Sequence, residues 1–121
     1  MLIRTPSGAF AGVATNRSFG RRRFTLAHEL GHFLLHEGDF TDNDFDNPSC
    51  AVEREANLFA KELLMPRHVV EQTYSKLKAL NIDIDYISEL SWAFRVSKES
   101  MAIRLSELGF VTENSKRPRN P

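Results

Sequence analysis

Apolar residues recur every three or four positions through most of the chain, a spacing typical of helices with one buried face. This spacing predicts a mainly helical protein. The predicted helices cover residues 22–36, 49–65, 67–79, 84–94 and 98–108.

Several predicted helix ends carry residues suited to helix termini. Pro66 ends the second helix, because proline disfavours helical geometry in the residue before it, and its fixed φ suits the start of the third. Ser97 can cap the fifth helix and Gly109 can end it.

Two short apolar segments, residues 1–4 and 9–15, precede the helices and flank the turn-forming residues Pro6, Ser7 and Gly8. Such an arrangement predicts a small β-hairpin. We therefore expect an α+β fold that is mainly helical, with a small N-terminal hairpin or sheet beside the first helix.

The first predicted helix carries two histidines four positions apart, His28 and His32, with Glu29 between them. Residues four apart on a helix point the same way, so both imidazoles can hold one metal ion. Glu29 is rotated by about 100° from His28, where its carboxylate can act as a base instead of binding the metal. This spacing is typical of zinc hydrolases, although surface histidines produce the same pattern by chance.

Large apolar residues surround this motif and cover most of the helix circumference, so we expect a largely buried helix whose histidines need polar partners. These residues are Phe24, Leu26, Ala27, Leu30, Phe33, Leu34 and Leu35.

Catalytic zinc takes three protein ligands, and the second predicted helix offers two carboxylates, Glu53 and Glu55. Glu53 shares its face with Ala56, Ala60 and Asn57, and the two alanines would let this helix approach the first closely. Asn57 could then orient a ligating imidazole. We favour Glu53 as the third ligand, and Glu55 remains the alternative. If neither residue binds a metal, both would simply belong to a solvated helical face.

The segments 23–36, 53–60 and 63–66, with weaker matches near the C-terminus, resemble the ImmA/IrrE family of metallopeptidases. The resemblance implies a zincin-like fold and a zinc-dependent endopeptidase that cleaves a helix-turn-helix transcriptional repressor in a stress or mobile-element response. It also implies that the zinc ligands are His28, His32 and Glu53, that Glu29 is the catalytic base, and that the edge strand pairs with substrate.

Many members of that family carry an upstream helix-turn-helix domain, and the segment before residue 24 is too short for one. We therefore expect either a stand-alone peptidase or part of a longer protein. The length of 121 residues predicts one compact domain, 1–111, followed by a flexible tail, 112–121.

Sixteen basic and sixteen acidic residues balance, so no overall charge favours a nucleic acid or a membrane as a partner. The single cysteine, Cys50, excludes an internal disulfide. Neither a signal-peptide core nor an apolar run of membrane-spanning length is evident, which predicts a cytoplasmic protein.

Other functions compete with the peptidase hypothesis. Asp42, Asp44 and Asp46 alternate, and Glu53 completes a run similar to the calcium-binding loop of an EF-hand. Residues 87–108 resemble a helix-turn-helix, which would make the chain a DNA-binding regulator. A non-catalytic zinc module is a third alternative, although such a site has no need of Glu29.

An endopeptidase also needs a hydrogen-bond donor for the developing oxyanion. Three residues are candidates and the sequence does not choose among them: His36, His68 and Tyr74. His36 lies too far along the helix from His28 to join the same metal ion, and its position suits the helix end.

Overall fold

A computed structural model describes residues 1–39 and 50–110 of the chain. The chain divides into two compact units, Met1–Leu64 and Met65–Pro121. The acidic run from Asp42 to Asp46 and the predicted tail lie outside the described residues, so the calcium-loop hypothesis and the 1–111 domain boundary remain untested predictions.

The first unit begins with the expected hairpin. Strand β1, Leu2–Thr5, pairs antiparallel with β2, Gly8–Ala11, in a register that places Leu2 opposite Ala11. Gly8 has a φ of +155°, a value that favours glycine at this turn. Together with the helices below, this small sheet confirms the predicted α+β class.

Helix α1 spans Phe19–Leu35 and begins three residues before the predicted start. The reason is Ser18, whose hydroxyl accepts a hydrogen bond from the backbone N–H of Arg21 and so caps the helix. The backbone N–H of His36 donates to the carbonyl of His32 and closes the other end.

The expectation that α1 is largely buried is wrong. Its buried residues are the small and polar ones, Ala27, His28, Glu29, Gly31 and His32. The large apolar residues beside them are exposed: Leu26, Leu30, Phe33, Leu34 and Leu35. The buried face of α1 is therefore the one that carries Ala27 and Gly31, whose small size lets another helix approach closely.

Helix α2, Ala51–Leu64, packs against this buried face of α1. Ala56 and Ala60 are completely buried, as their small size led us to expect. A Cβ atom on Gly31 would lie only 3.2 Å from the Cα atom of Ala56, so the helices meet at backbone distance. This close approach brings side chains of α2 to the histidines of α1.

Arg4 of β1 ties the hairpin to the C-terminal end of α1. Its guanidinium donates to the carbonyl oxygens of His32 and Phe33, each at 3.0 Å, and also to that of Gly38. These carbonyls belong to the last turn or follow it, where helical hydrogen bonds run out and side-chain donors can bind. Arg4 therefore fixes the hairpin alongside the helix.

The described part of the second unit contains three helices: α3, Arg67–Ala79; α4, Tyr86–Phe94; and α5, Lys98–Glu107. Asp85 caps α4, and Ser97 caps α5 as predicted. Within the described ranges, no helix is long and apolar enough to cross a membrane.

Helices α4 and α5 are joined by the short segment 95–97, as the helix-turn-helix hypothesis requires, but one basic residue is unavailable to DNA. Arg104 is only 3% exposed, and its guanidinium donates to the carbonyl of Met65 at 3.0 Å. A buried arginine cannot contact phosphate. Its position weakens the DNA-binding alternative.

Candidate metal centre

Three side chains converge between α1 and α2. His28, His32 and Glu53 each offer one ligand atom, and these atoms all lie within 4.8 Å of one another. Glu53 Oε1 is 2.7 Å from His28 Nε2 and 3.2 Å from His32 Nε2, and the two Nε2 atoms are 3.1 Å apart. The structure thus brings together the three residues that the sequence nominated as ligands.

The outer nitrogen of His28 lies 2.8 Å from Asn57 Oδ1. An amide oxygen only accepts, so this contact places the imidazole proton on Nδ1. The lone pair of His28 Nε2 then points at the carboxylate of Glu53. Without a cation between them, two electron-rich atoms at this distance repel each other.

The burial of the cluster also favours a bound cation. Glu53 is 0% exposed, and within the described residues its Oε2 atom accepts no hydrogen bond, although it lies 3.1 Å from His32 Nε2. A buried carboxylate is costly without a compensating charge. Two imidazoles and one carboxylate are donors that suit a divalent transition metal, so the residues present fit a metal ion.

Burial also holds the pKa of both His28 and His32 below its ordinary value of 6.5, although the hydrogen bond and charge of Glu53 oppose the shift. Both imidazoles are therefore neutral at pH 7. Neutral imidazole is the form that binds a metal ion.

Glu29 lies directly beside this cluster but is not part of it. Its side chain is 1% exposed, and its Oε2 atom lies 2.5 Å from the α-amino nitrogen of Met1. Glu29 is also among the residues that line a groove of about 230 Å³ between the hairpin and α1. The other lining residues are apolar: Leu2, Ala9, Ala11, Leu26, Leu30 and Phe33.

Glu55, the alternative ligand, lies outside the cluster. It is 62% exposed, and its Oε1 atom is 2.7 Å from Nε2 of His36. His36 in turn places its Nδ1 atom 3.0 Å from Nδ1 of His32. His36 thus contacts the outer side of the cluster, and Glu55 contacts His36.

The remaining candidates for stabilising an oxyanion belong to the second unit. Tyr74 packs against Tyr86 and Phe110, with ring centroids 5.4 and 4.8 Å away, and His68 contacts the side-chain amide of Gln72. The choice among His36, His68 and Tyr74 remains open.

Sequence reasoning missed Arg4 and the contact between His36 and Glu55. A signal for Arg4 exists, because alternation in a strand puts it on the same face as the buried Leu2 and therefore toward α1. No periodicity signals the second contact, which depends on how closely α1 and α2 approach.

The class of protein follows from comparison with known families. A peptidase family model described as the IrrE N-terminal-like domain matches residues 9–106, so this chain belongs to that family. The match confirms the resemblance noted in the sequence, and the family name implies a metal-dependent peptidase domain.

A particular relative is metallopeptidase ImmA of Bacillus subtilis strain 168. It is 31% identical over 107 residues, which cover 84% of this chain and 52% of that protein. The chain therefore spans about half the length of the relative it matches.

Proposed function

We propose that this chain is a zinc-dependent endopeptidase that hydrolyses a peptide bond in a protein substrate. The observation that carries the proposal is the convergence of His28, His32 and Glu53 beside the buried carboxylate of Glu29. A ligand set that only stabilises a fold has no need of an adjacent base.

Zinc is the metal proposed because two histidines and a glutamate form a known catalytic zinc set with one position left for water. When bound, zinc lowers the pKa of that water toward 7 and polarises the substrate carbonyl. His28, His32 and Glu53 would hold it through Nε2, Nε2 and the carboxylate.

Glu29 is the proposed general base and then the general acid. Its carboxylate takes a proton from the attacking water and passes that proton to the nitrogen of the leaving amine. The burial of Glu29 keeps bulk water from competing for this proton transfer. Glu29 also lines the groove in which a substrate would lie, so its carboxylate would be close to the bound peptide.

The groove beside Glu29 supports an extended peptide as the substrate. Among the described residues β2 pairs only with β1 and its residues are exposed, so a peptide could be added along its other edge as a further strand. The apolar lining from Leu26, Leu30 and Phe33 would accept an apolar side chain next to the bond that is cut.

The finer proposal, that the substrate is a helix-turn-helix repressor cleaved in the cytoplasm during a stress or mobile-element response, comes from the family resemblance. The relative in Bacillus subtilis is named only as a metallopeptidase. The cleavage chemistry can therefore be tested separately from the identity of the substrate.

A test of the chemistry compares wild type with Glu29→Gln on a library of fluorescence-quenched peptides in the presence of zinc. We expect Glu29→Gln to keep the metal and lose cleavage, and His32→Ala to lose both. Glu37→Gln, the same chemical change on an exposed residue after α1, is the control and should cleave normally. Undiminished cleavage by Glu29→Gln would contradict the mechanism.

A further inference from the structure

A line of polar contacts leads away from the metal cluster through His36 to Glu55. Nδ1 of His32 lies 3.0 Å from Nδ1 of His36, and Nε2 of His36 lies 2.7 Å from Oε1 of Glu55. His32 and His36 are four positions apart at the end of α1, so their rings face the same side. Glu55 reaches His36 from helix α2.

The carboxylate at one end of this line and the metal cluster at the other indicate the direction of each bond. An ionised carboxylate only accepts, so Nε2 of His36 must carry a proton and donate to Glu55. If Nε2 of His32 holds the metal ion, the proton of that ring lies on Nδ1 and donates to Nδ1 of His36. Nδ1 of His36 then accepts, which agrees with a single His36 proton on Nε2.

We infer that His36 and Glu55 are positioning residues that hold the proton of His32 on Nδ1 and so leave its Nε2 lone pair for the metal ion. The inference rests on the proposed function, because it assigns these residues to the same metal centre. Asn57 has the same role for His28, because it holds the proton of that imidazole on Nδ1 through one direct contact.

The fold supports this role for His36. The side chain of His36 is only 9% exposed, so water has little access to compete for Nδ1 of His32. Arg4 also donates to the carbonyl of His32 and anchors the final turn of α1, which keeps the two imidazoles in place. Partners of this kind typically contribute about 10- to 100-fold to metal affinity.

The test compares two replacements of His36 that differ in whether they offer an acceptor. His36→Asn places an amide oxygen near the position of Nδ1, whereas His36→Phe keeps a ring without an acceptor. We expect the Kd for zinc, measured by competition with a chromophoric chelator, to rise about 10-fold or more in His36→Phe and to stay near wild type in His36→Asn. Equal values for wild type and His36→Phe, or equal losses in both variants, would overturn the inference.

A second measurement addresses the protons directly and does not depend on catalysis. In the zinc-loaded wild type, ¹⁵N NMR should find the His36 proton on Nε2 and a scalar coupling between the Nδ1 nuclei of His32 and His36. In Glu55→Ala, His36 should lose its single tautomer, whereas Glu55→Gln, which keeps an acceptor, should retain it. A wild-type His36 protonated on Nδ1 alone would overturn the inference.

The two proposals fail in different ways. A wild-type protein that binds no zinc overturns both. A wild type that binds zinc and cleaves peptides, with His36→Phe unchanged in zinc affinity and tautomer, overturns this inference and leaves the proposed function intact.

Discussion

Gly31 offers a direct test of the helix contact that assembles the cluster. In the substitution Gly31→Ala, the added Cβ atom would lie 3.1 Å from Cδ2 of Phe59 and 3.2 Å from Cα of Ala56. Ordinary van der Waals contacts begin at 3.4 Å. One of the two neighbours belongs to the backbone of α2, so the helix itself must shift by a few tenths of an ångström.

Two opposing effects set the size of the change. Alanine is favoured over glycine in a helix by about 1 kcal/mol. Overpacking of a close contact costs about 1–3 kcal/mol. We therefore expect Gly31→Ala to lower the free energy of unfolding by about 1 kcal/mol, which corresponds to a fall of about 4 °C in Tm for a chain of this size.

The same shift acts on the metal centre, because Glu53 and Ala56 lie one turn apart on α2. Metal–ligand distances tolerate changes of only about 0.2 Å, so we expect the Kd for zinc to rise severalfold. Thermal denaturation and zinc titration measure the two effects. Leu34→Ala, on the exposed side of α1, is the control and should change both little. A Gly31→Ala protein that is more stable than wild type and binds zinc equally well would refute the proposed contact.

Three further predictions follow from single residues. Because burial lowers the pKa of His28 and His32 below 6.5, the unfolded chain binds protons more readily. The free energy of unfolding of the metal-free protein should therefore be at its full value above pH 6.5 and decrease as the pH falls below 6.5. In His28→Gln this decrease should be less steep. Denaturant titrations at several pH values measure it, and an equally steep decrease with pH in wild type and His28→Gln would contradict the prediction. Asp85→Ala should lower stability by about 1 kcal/mol through loss of the α4 cap, whereas Asp83→Ala, just before that helix, should have little effect; thermal melts that do not separate the two would count against the cap. Leu30→Lys should reduce cleavage of peptides with apolar side chains without changing zinc content, and full activity on such peptides would exclude the groove as their binding site.

The positions of the proposed ligands could largely be predicted, because helix geometry favours Glu53 over Glu55 and the family resemblance implies the same three residues. A spacing of four residues puts His28 and His32 on one side of α1, and the small Ala56 and Ala60 mark the side of α2 that approaches it. Glu53 lies on that side, as the facing argument required, and Glu55 lies at its exposed margin.

The surroundings of the cluster could not be predicted in the same way. The spacing of apolar residues shows on which side of a helix they lie, but not which side another helix packs against. Leu26 and Leu34 fit a buried helix in the sequence, yet they are 51% and 57% exposed, because α2 packs where the side chains are smallest. The contact between His36 and Glu55 likewise depends on the distance between two helices, which sequence spacing does not specify.

The central claim is that Glu53, and not Glu55, completes the metal centre. The most direct measurement is the zinc content of purified wild type, Glu53→Gln and Glu55→Gln by atomic emission after dialysis against trace zinc. Both substitutions remove the same charge from the same helix. We expect one zinc ion per chain in wild type and in Glu55→Gln, and none in Glu53→Gln. Full zinc content in Glu53→Gln would contradict the account.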